Sequence, residues 1–403
     1  MHQPSSGGRL MVIISDKLTD LVKKGEITPR YYNPTELFDE VHIVATNRET
    51  VEPEQIQKTV GKARLYVHYL PIDRRLFVVG LIGICPPPLF LTKWMKAGVQ
   101  LAKGIQPDLI RCYANDFNAL MAAQIKKELG TPFIVSLHNN PDTDFRGGRE
   151  VVSLRGRLYA ASHYLVERPA LRSADHFIAV YAPIVPYLEG NHVKDYSVIY
   201  NAVGYGAEPK GDYVGSKPMR FICVGRQKAH HKDPTQIIEA VSELQEAQLT
   251  LIGTGELHSE LENLARVRGC EDRCKFIPEL PNERVMAEMA RADVFVFNQL
   301  YLGISKAIIE AALTGLPIIV NTPAGTDELE GEWLIRVDDS KDGYLKAMKR
   351  LMNQEQRELF GRRAYAHARA NWDPEHLEAK VAQLYLDVID KSRAQKKTEQ
   401  EQH

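Results

Sequence analysis

Residues 294–329 read VFVFNQLYLGISKAIIEAALTGLPIIVNTPAGTDEL. The run 294–297 is β-branched and aromatic, as a buried strand requires. It enters a turn containing Gly303, and a helical pattern starts at Ser305 or Lys306 and continues to Thr314. Gly315 and Pro317 end that helix, and a second apolar run, 317–321, follows at once. Two short apolar strands separated by a helix form a βαβ unit, which fixes the pair as parallel and buried on both faces.

The same alternation extends in both directions. Strands are predicted at 221–224, 249–252 and 274–276, with helices over 235–246, 257–268 and 282–290. Upstream, apolar runs at 10–15, 40–45, 63–69, 109–112, 133–137, 176–180 and 197–200 alternate with helical stretches such as 117–129. Residues 204–218 (GYGAEPKGDYVGSKP) break the pattern with Gly, Pro and charge, as a linker does. The expected fold class is α/β, with two Rossmann-like doubly wound domains facing across a cleft. Residues 1–203 form the first and 219–371 the second. A last helix, 372–392, is expected to pack back on the first domain, and residues 393–403 to fray.

Composition narrows the function. The 403 residues are 44% hydrophobic and 26% charged, enough apolar material for two cores. Lys and Arg number 51 against 52 Asp and Glu, for a net charge of −1, so no global field favours nucleic acid. Five scattered cysteines argue against a disulfide framework, and the N-terminal stretch lacks a secretion-signal pattern; a reducing, cytoplasmic setting is expected. Residues 74–103 carry a 16-residue apolar stretch interrupted by Pro86–Pro88, too short and too broken to span a bilayer. Flanking Lys and Arg with Trp94 leave peripheral contact with the inner membrane face as one reading, and a buried strand, loop and core helix as the other.

Three segments carry chemistry. In FICVGRQKAHHKDP, Gly225 ends a strand, Arg226 follows, and Lys232 lies six residues on, just before a helix start. Two cations at a strand's carboxyl end suit a diphosphate, while a solvated basic loop is the alternative. In LIGTGE, Gly253 and Gly255 permit close backbone approach to a ligand. No GxGxxG or Walker-type lysine follows, which counts against a dehydrogenase and a P-loop enzyme. At the third segment, Ser305 and Lys306 open a helix whose free N–H groups suit an anion, and Glu310 one turn in suits a ribose diol or, alternatively, lies on the surface. Cys270 and Cys274 lack a second ligand pair at zinc spacing. No metal or other cofactor is expected.

From Phe221 to Glu328 the chain resembles the donor domain of family 4 glycosyltransferases, which adopt the glycosyltransferase B fold. VGR…K, LIGTGE, FIPELPNERV and ADVFVFNQLYLGISKAIIEAALTGLPIIV carry the likeness. The segments IQPDLIRCYANDFNALMAAQIKKELGTPFIVSLHNN, SADHFIAVYAPIVPYL, VIYNAV and NWDPEHLEAKVAQLYLDVI resemble the family more loosely. The resemblance implies a retaining, metal-independent hexosyltransferase acting in surface polysaccharide or glycolipid assembly. Its donor is a UDP- or GDP-linked sugar and its acceptor a sugar or lipid-linked hydroxyl. It implies that Arg226 and Lys232 neutralise the diphosphate, that Gly225, Gly253, Gly255, Gly303, Ser305 and Lys306 line the donor, and that Glu310 binds the ribose. His138 is implied near the transferred sugar, with Asn139 beside it. Lys24, Gly25, Tyr31, Tyr32 and Asn33 are the acceptor-side candidates, since the glycine pair many relatives carry after the first strand has no counterpart here; for Tyr31 and Tyr32 packing in the core is the alternative to stacking on sugar faces. The family usually has a glutamate eight positions before the one matching Glu310; this chain has Leu302. That departure keeps a non-catalytic nucleotide-sugar-binding protein in view; a sugar-nucleotide epimerase of the same fold is the other alternative reading.

Overall fold

The computed structural model describes residues 8–25, 27–72, 89–143, 166–229, 231–321, 323 and 325–401. The apolar stretch of segment 74–103 up to residue 88 and His230 lie outside them. The chain divides into two compact units, one of Met1–Val22, Ile27–Tyr200 and Leu377–His403, the other of Lys23–Glu26 and Asn201–His376.

Among the described residues the first unit holds seven parallel strands: β1 (Arg9–Ile14), β2 (Glu40–Ala45), β3 (Arg64–Tyr69), β4 (Leu109–Tyr113), β5 (Phe133–Leu137), β6 (His176–Ala179) and β7 (Tyr196–Val198). Their order is β3-β2-β1-β4-β5-β6-β7. The order reverses between β1 and β4, and in open parallel sheets the ligand crevice lies beyond the strand ends at such a point. The core behind it joins Met11, Ile13, Cys112, Val135 and Phe177 from the central strands to Met121 and Ile125 of the helix Phe117–Leu129.

The second unit repeats the plan with six parallel strands: β8 (Met219–Val224), β9 (Ala247–Ile252), β10 (Cys274–Ile277), β11 (Val294–Asn298), β12 (Ile318–Asn321) and β13 (Ile335–Val337). The order is β10-β9-β8-β11-β12-β13, reversing between β8 and β11. The opening quotation is the β11–helix–β12 crossover, with its helix at Lys306–Leu313.

Two features depart from the sequence reading. β13 is only three residues long, too short for its alternation to register. The final helix runs Pro374–Glu401, through the stretch expected to fray. Arg393 Nη2 donates to Asp108 Oδ1 at 3.1 Å, which ties that stretch to the first unit. Among the described residues no helix is long and apolar enough to cross a membrane.

Candidate functional site

The second unit gathers its candidate residues at the carboxyl ends of β8, β9 and β11. After β8 the chain makes a tight loop in which the backbones of Lys228 and Lys232 exchange hydrogen bonds of 3.0 and 2.9 Å. The loop returns Lys232 over the end of the sheet, where its Nζ lies 5.4 Å from the Phe297 ring centroid and 5.5 Å from that of Tyr301. The same Nζ is 3.5 Å from Ser305 Oγ. Ser305 is the N-cap residue of the helix Lys306–Leu313 and is buried. An ammonium group thus stands at a helix N-terminus, and both favour an anion. Arg226 extends from the same loop as an exposed side chain, and Lys306 is exposed on the first turn of the helix.

The loop's shape comes from Gln227, which the sequence reading passed over. Gln227 is buried; its Nε2 donates to the Gly253 carbonyl at 2.9 Å and its Oε1 lies 2.8 Å from His258 Nδ1. A Cβ on Gly253 would fall 2.2 Å from the Gly225 carbonyl oxygen, and one on Gly255 1.9 Å from that of Gln227. The close approach these two glycines permit is therefore between neighbouring loops. Gly225 is restricted by side chains instead: a Cβ there would be 3.1 Å from Phe297 and 3.2 Å from Lys232.

The turn after β11 is built around a second buried amide. Gln299 Nε2 donates to the carbonyls of Tyr301 and Gly303, at 3.2 and 2.5 Å. Gly303 adopts φ +106°, a conformation closed to ordinary side chains. Tyr301 packs against His231 with ring centroids 4.6 Å apart, and burial pushes its hydroxyl up to about 12. Burial likewise pushes the Cys223 thiol beneath the loop up to about 12, against the opposing pull of Lys232, so this thiol stays protonated at neutral pH.

Glu310 is 6% exposed, which overturns the surface-glutamate alternative. Asn282 Nδ2, from the start of the helix Asn282–Arg291, donates to its Oε1 at 2.9 Å. The pair is 28 residues apart, so no local pattern announces it. Leu302 is 39% exposed on the turn, beside Gly325.

In the first unit His138 follows β5 and is half-buried, with Asn139 next to it. Tyr31 Oη lies 3.5 Å from His138 Nε2, and the rings of Tyr113 and His138 are 5.5 Å apart. Tyr31 also packs on Tyr32 at 5.1 Å and on Tyr113 at 5.8 Å. Tyr32 is buried, and burial holds its hydroxyl far above the ordinary range. Asn33 is fully buried: its Nδ2 donates to the carbonyls of Phe38 and Val60, and its Oδ1 accepts from Phe38 N. That side chain staples a loop. Asn33→Ala is expected to lower unfolding stability by about 1–3 kcal/mol in urea titrations, since it leaves buried backbone groups unpaired, and to leave nucleotide affinity unchanged. Lys24 ends the helix Leu18–Lys24 and is exposed; it and Gly25 group with the second unit, apart from Tyr31–Asn33.

Cys270 and Cys274 are buried with sulfurs 3.9 Å apart, and among the described residues no group of three or more His, Cys, Asp or Glu is placed to hold a metal ion.

Residues 36–204 match the family model described as Glycosyltransferase Family 4, and residues 218–354 that described as Glycosyl transferases group 1. The chain belongs to the family 4 glycosyltransferases. This glycosyltransferase is 28% identical over 123 residues to the amylovoran biosynthesis glycosyltransferase AmsK of Erwinia amylovora. That match covers 28% of the chain and 30% of the relative's length. Among solved structures, Anabaena HepE in complex with UDP superposes with a TM-score of 0.71 at 15% identity, covering 94% of this chain and all of HepE. Sucrose-phosphate synthase from Thermosynechococcus elongatus gives 0.69 at 16% identity, covering 95% and 99%. The two parallel-sheet α/β units of the glycosyltransferase are those of the glycosyltransferase B fold.

Proposed function

We propose that the chain moves a hexose-type sugar from a UDP- or GDP-linked donor to an acceptor hydroxyl, with retention of the donor's anomeric configuration. The observation that carries this reading is Lys232 standing at Ser305 on a helix N-terminus, with buried Glu310 held by Asn282 one turn further in. The ammonium and the helix N–H groups suit the diphosphate, with Arg226 as a second cation; the carboxylate suits the ribose hydroxyls. As the bond from anomeric carbon to phosphate oxygen breaks, negative charge grows on the leaving diphosphate, and fixed cations there lower the barrier. The acceptor oxygen forms the new bond on the same face, and its proton passes to a donor phosphate oxygen. The acceptor is assigned to the first unit, beside His138, Asn139 and Tyr31.

The UDP bound by HepE supports a uridine donor, and AmsK supports a role in surface-polysaccharide assembly. A thermal-shift panel of UDP-, GDP- and ADP-glucose tests the donor class. The UDP or GDP compound is expected to raise the melting temperature, since a ligand at 100 times its Kd adds about 2.7 kcal/mol to the folded state. No shift with any of the three would refute the donor site. Product analysis separates the alternative readings: an epimerase interconverts the donor sugar without acceptor, and a binding protein returns it unchanged.

A further inference from the structure

The loop that presents Tyr31 is strained, and a distant carboxylate helps to hold it. Arg30, Thr35 and Glu36 adopt φ values of +53°, +54° and +56°. Non-glycine residues enter this left-handed region rarely, and a β-branched Thr is an outlier there. Each such residue costs about 1–3 kcal/mol, and it persists only where its surroundings over-determine it. Glu378 supplies part of that constraint, beside the bonds from Arg30 N to the Lys58 carbonyl and from Tyr32 N to the Thr59 carbonyl and the Asn33 side chain. Its buried carboxylate accepts from Arg30 Nε at 2.5 Å and Nη2 at 2.8 Å, and from Thr35 N at 2.7 Å. It thereby fixes both ends of the segment 30–35, with Tyr31 inside it. Tyr31 is the residue that reaches His138.

The same helix, Pro374–Glu401, also builds the floor beneath. Tyr385 lies seven residues after Glu378, on the same helical face. Its hydroxyl accepts from Arg111 Nη1 at 2.6 Å. The Arg111 guanidinium in turn lies 4.8 Å from the centroid of Tyr113, the ring on which Tyr31 stacks.

We propose that Glu378 is a positioning residue for the acceptor subsite. It holds the strained loop so that Tyr31 stands beside His138, and the two together form an aromatic and imidazole surface for the face of a pyranose acceptor. This rests on the transfer reaction proposed above. Strain held in place by a partner some 350 residues away is a cost that folding alone does not require.

Glu378→Gln keeps the shape and removes the charge. Amide exchange over residues 27–36 is expected to accelerate about tenfold or more, with the helix 374–401 unchanged. The imidazole NMR signal of His138 is expected to move. With UDP-glucose as donor and glucose as acceptor, kcat for UDP release is expected to fall about tenfold while the KM for UDP-glucose stays within about twofold, a loss confined to the transition state. Wild-type exchange with an unmoved His138 signal would overturn the proposal, and so would faster exchange with unchanged kcat. Arg30→Lys, which keeps the charge and loses the fork, is the second arm: the same fall in kcat with a smaller stability loss supports the proposal, and unchanged kcat overturns it. Failure of the wild-type protein to bind UDP would instead remove the donor-site reading, and the exchange and NMR measurements would still decide the clamp.

Discussion

Lys232→Ala is expected to lower kcat for UDP release by about 100- to 1000-fold, the cost of removing one fixed charge-stabilising group from a reacting centre. The ammonium is not part of the core. It lies over the Phe297 and Tyr301 rings and reaches Ser305. Losing the ring contacts costs about 0.5–1 kcal/mol each at a partly exposed site, so the variant is expected to stay folded. Lys232→Arg keeps the charge but not its compact geometry, and should fall between the two. Arg226 is exposed on the same loop, and Arg226→Ala is expected to cost about tenfold or more. Single-turnover measurement of UDP release checks both; near-normal rates in both variants would refute the assignment of these cations to the diphosphate.

Gly255→Ala is expected to damage stability and nucleotide binding together. The new Cβ would fall 1.9 Å from the Gln227 carbonyl oxygen and 2.7 Å from its carbon, and backbone atoms cannot rotate away as a side chain can. The Gln227 loop must shift, and that loop carries Arg226 and leads to Lys232. Overpacking of this kind costs about 1–3 kcal/mol, occasionally more. Gly253→Ala adds a φ of +125° to a 2.2 Å approach and should be at least as severe. Gly104→Ala is the control: nothing lies within 4 Å of its Cβ, and Gly104 sits in the helix Leu89–Ile105. Alanine there is expected to stabilise by about 0.5–1 kcal/mol. Urea midpoints and UDP titrations on the three variants give the comparison. A Gly255→Ala protein with wild-type stability and affinity would show that the loops are not locked as described.

The parallel sheets were legible chiefly from their central strands, β1, β4, β5, β11 and β12, which are buried on both faces and read as continuous apolar runs. β4 shows the limit. Its apolar pattern locates the strand, while the buried Arg111 inside it is satisfied by Ser136 and by Tyr385, a residue 274 positions away. The same holds across the candidate site. Arg226, Lys232, Ser305 and Glu310 could be named because charge, capping and helical spacing are local signals. Gln227, Asn282 and Glu378 could not, because each acts through a partner that only the folded chain brings near, while Gln299 bonds within its own turn and carries no charge or capping signal. Gly253 and Gly255 were read as permitting close approach of a ligand; the atoms the fold brings against them are the Gly225 and Gln227 carbonyls, which no sequence pattern announces. Asn33 was read beside two tyrosines as an acceptor-side candidate, and its bonds to Phe38 and Val60 make it a buried staple.

The most direct test is a crystal structure of the protein soaked with UDP. The diphosphate is expected against Lys232 and the backbone N–H groups following Ser305, with the ribose hydroxyls on Glu310. Density for the nucleotide elsewhere, with these three residues unliganded, would contradict the account.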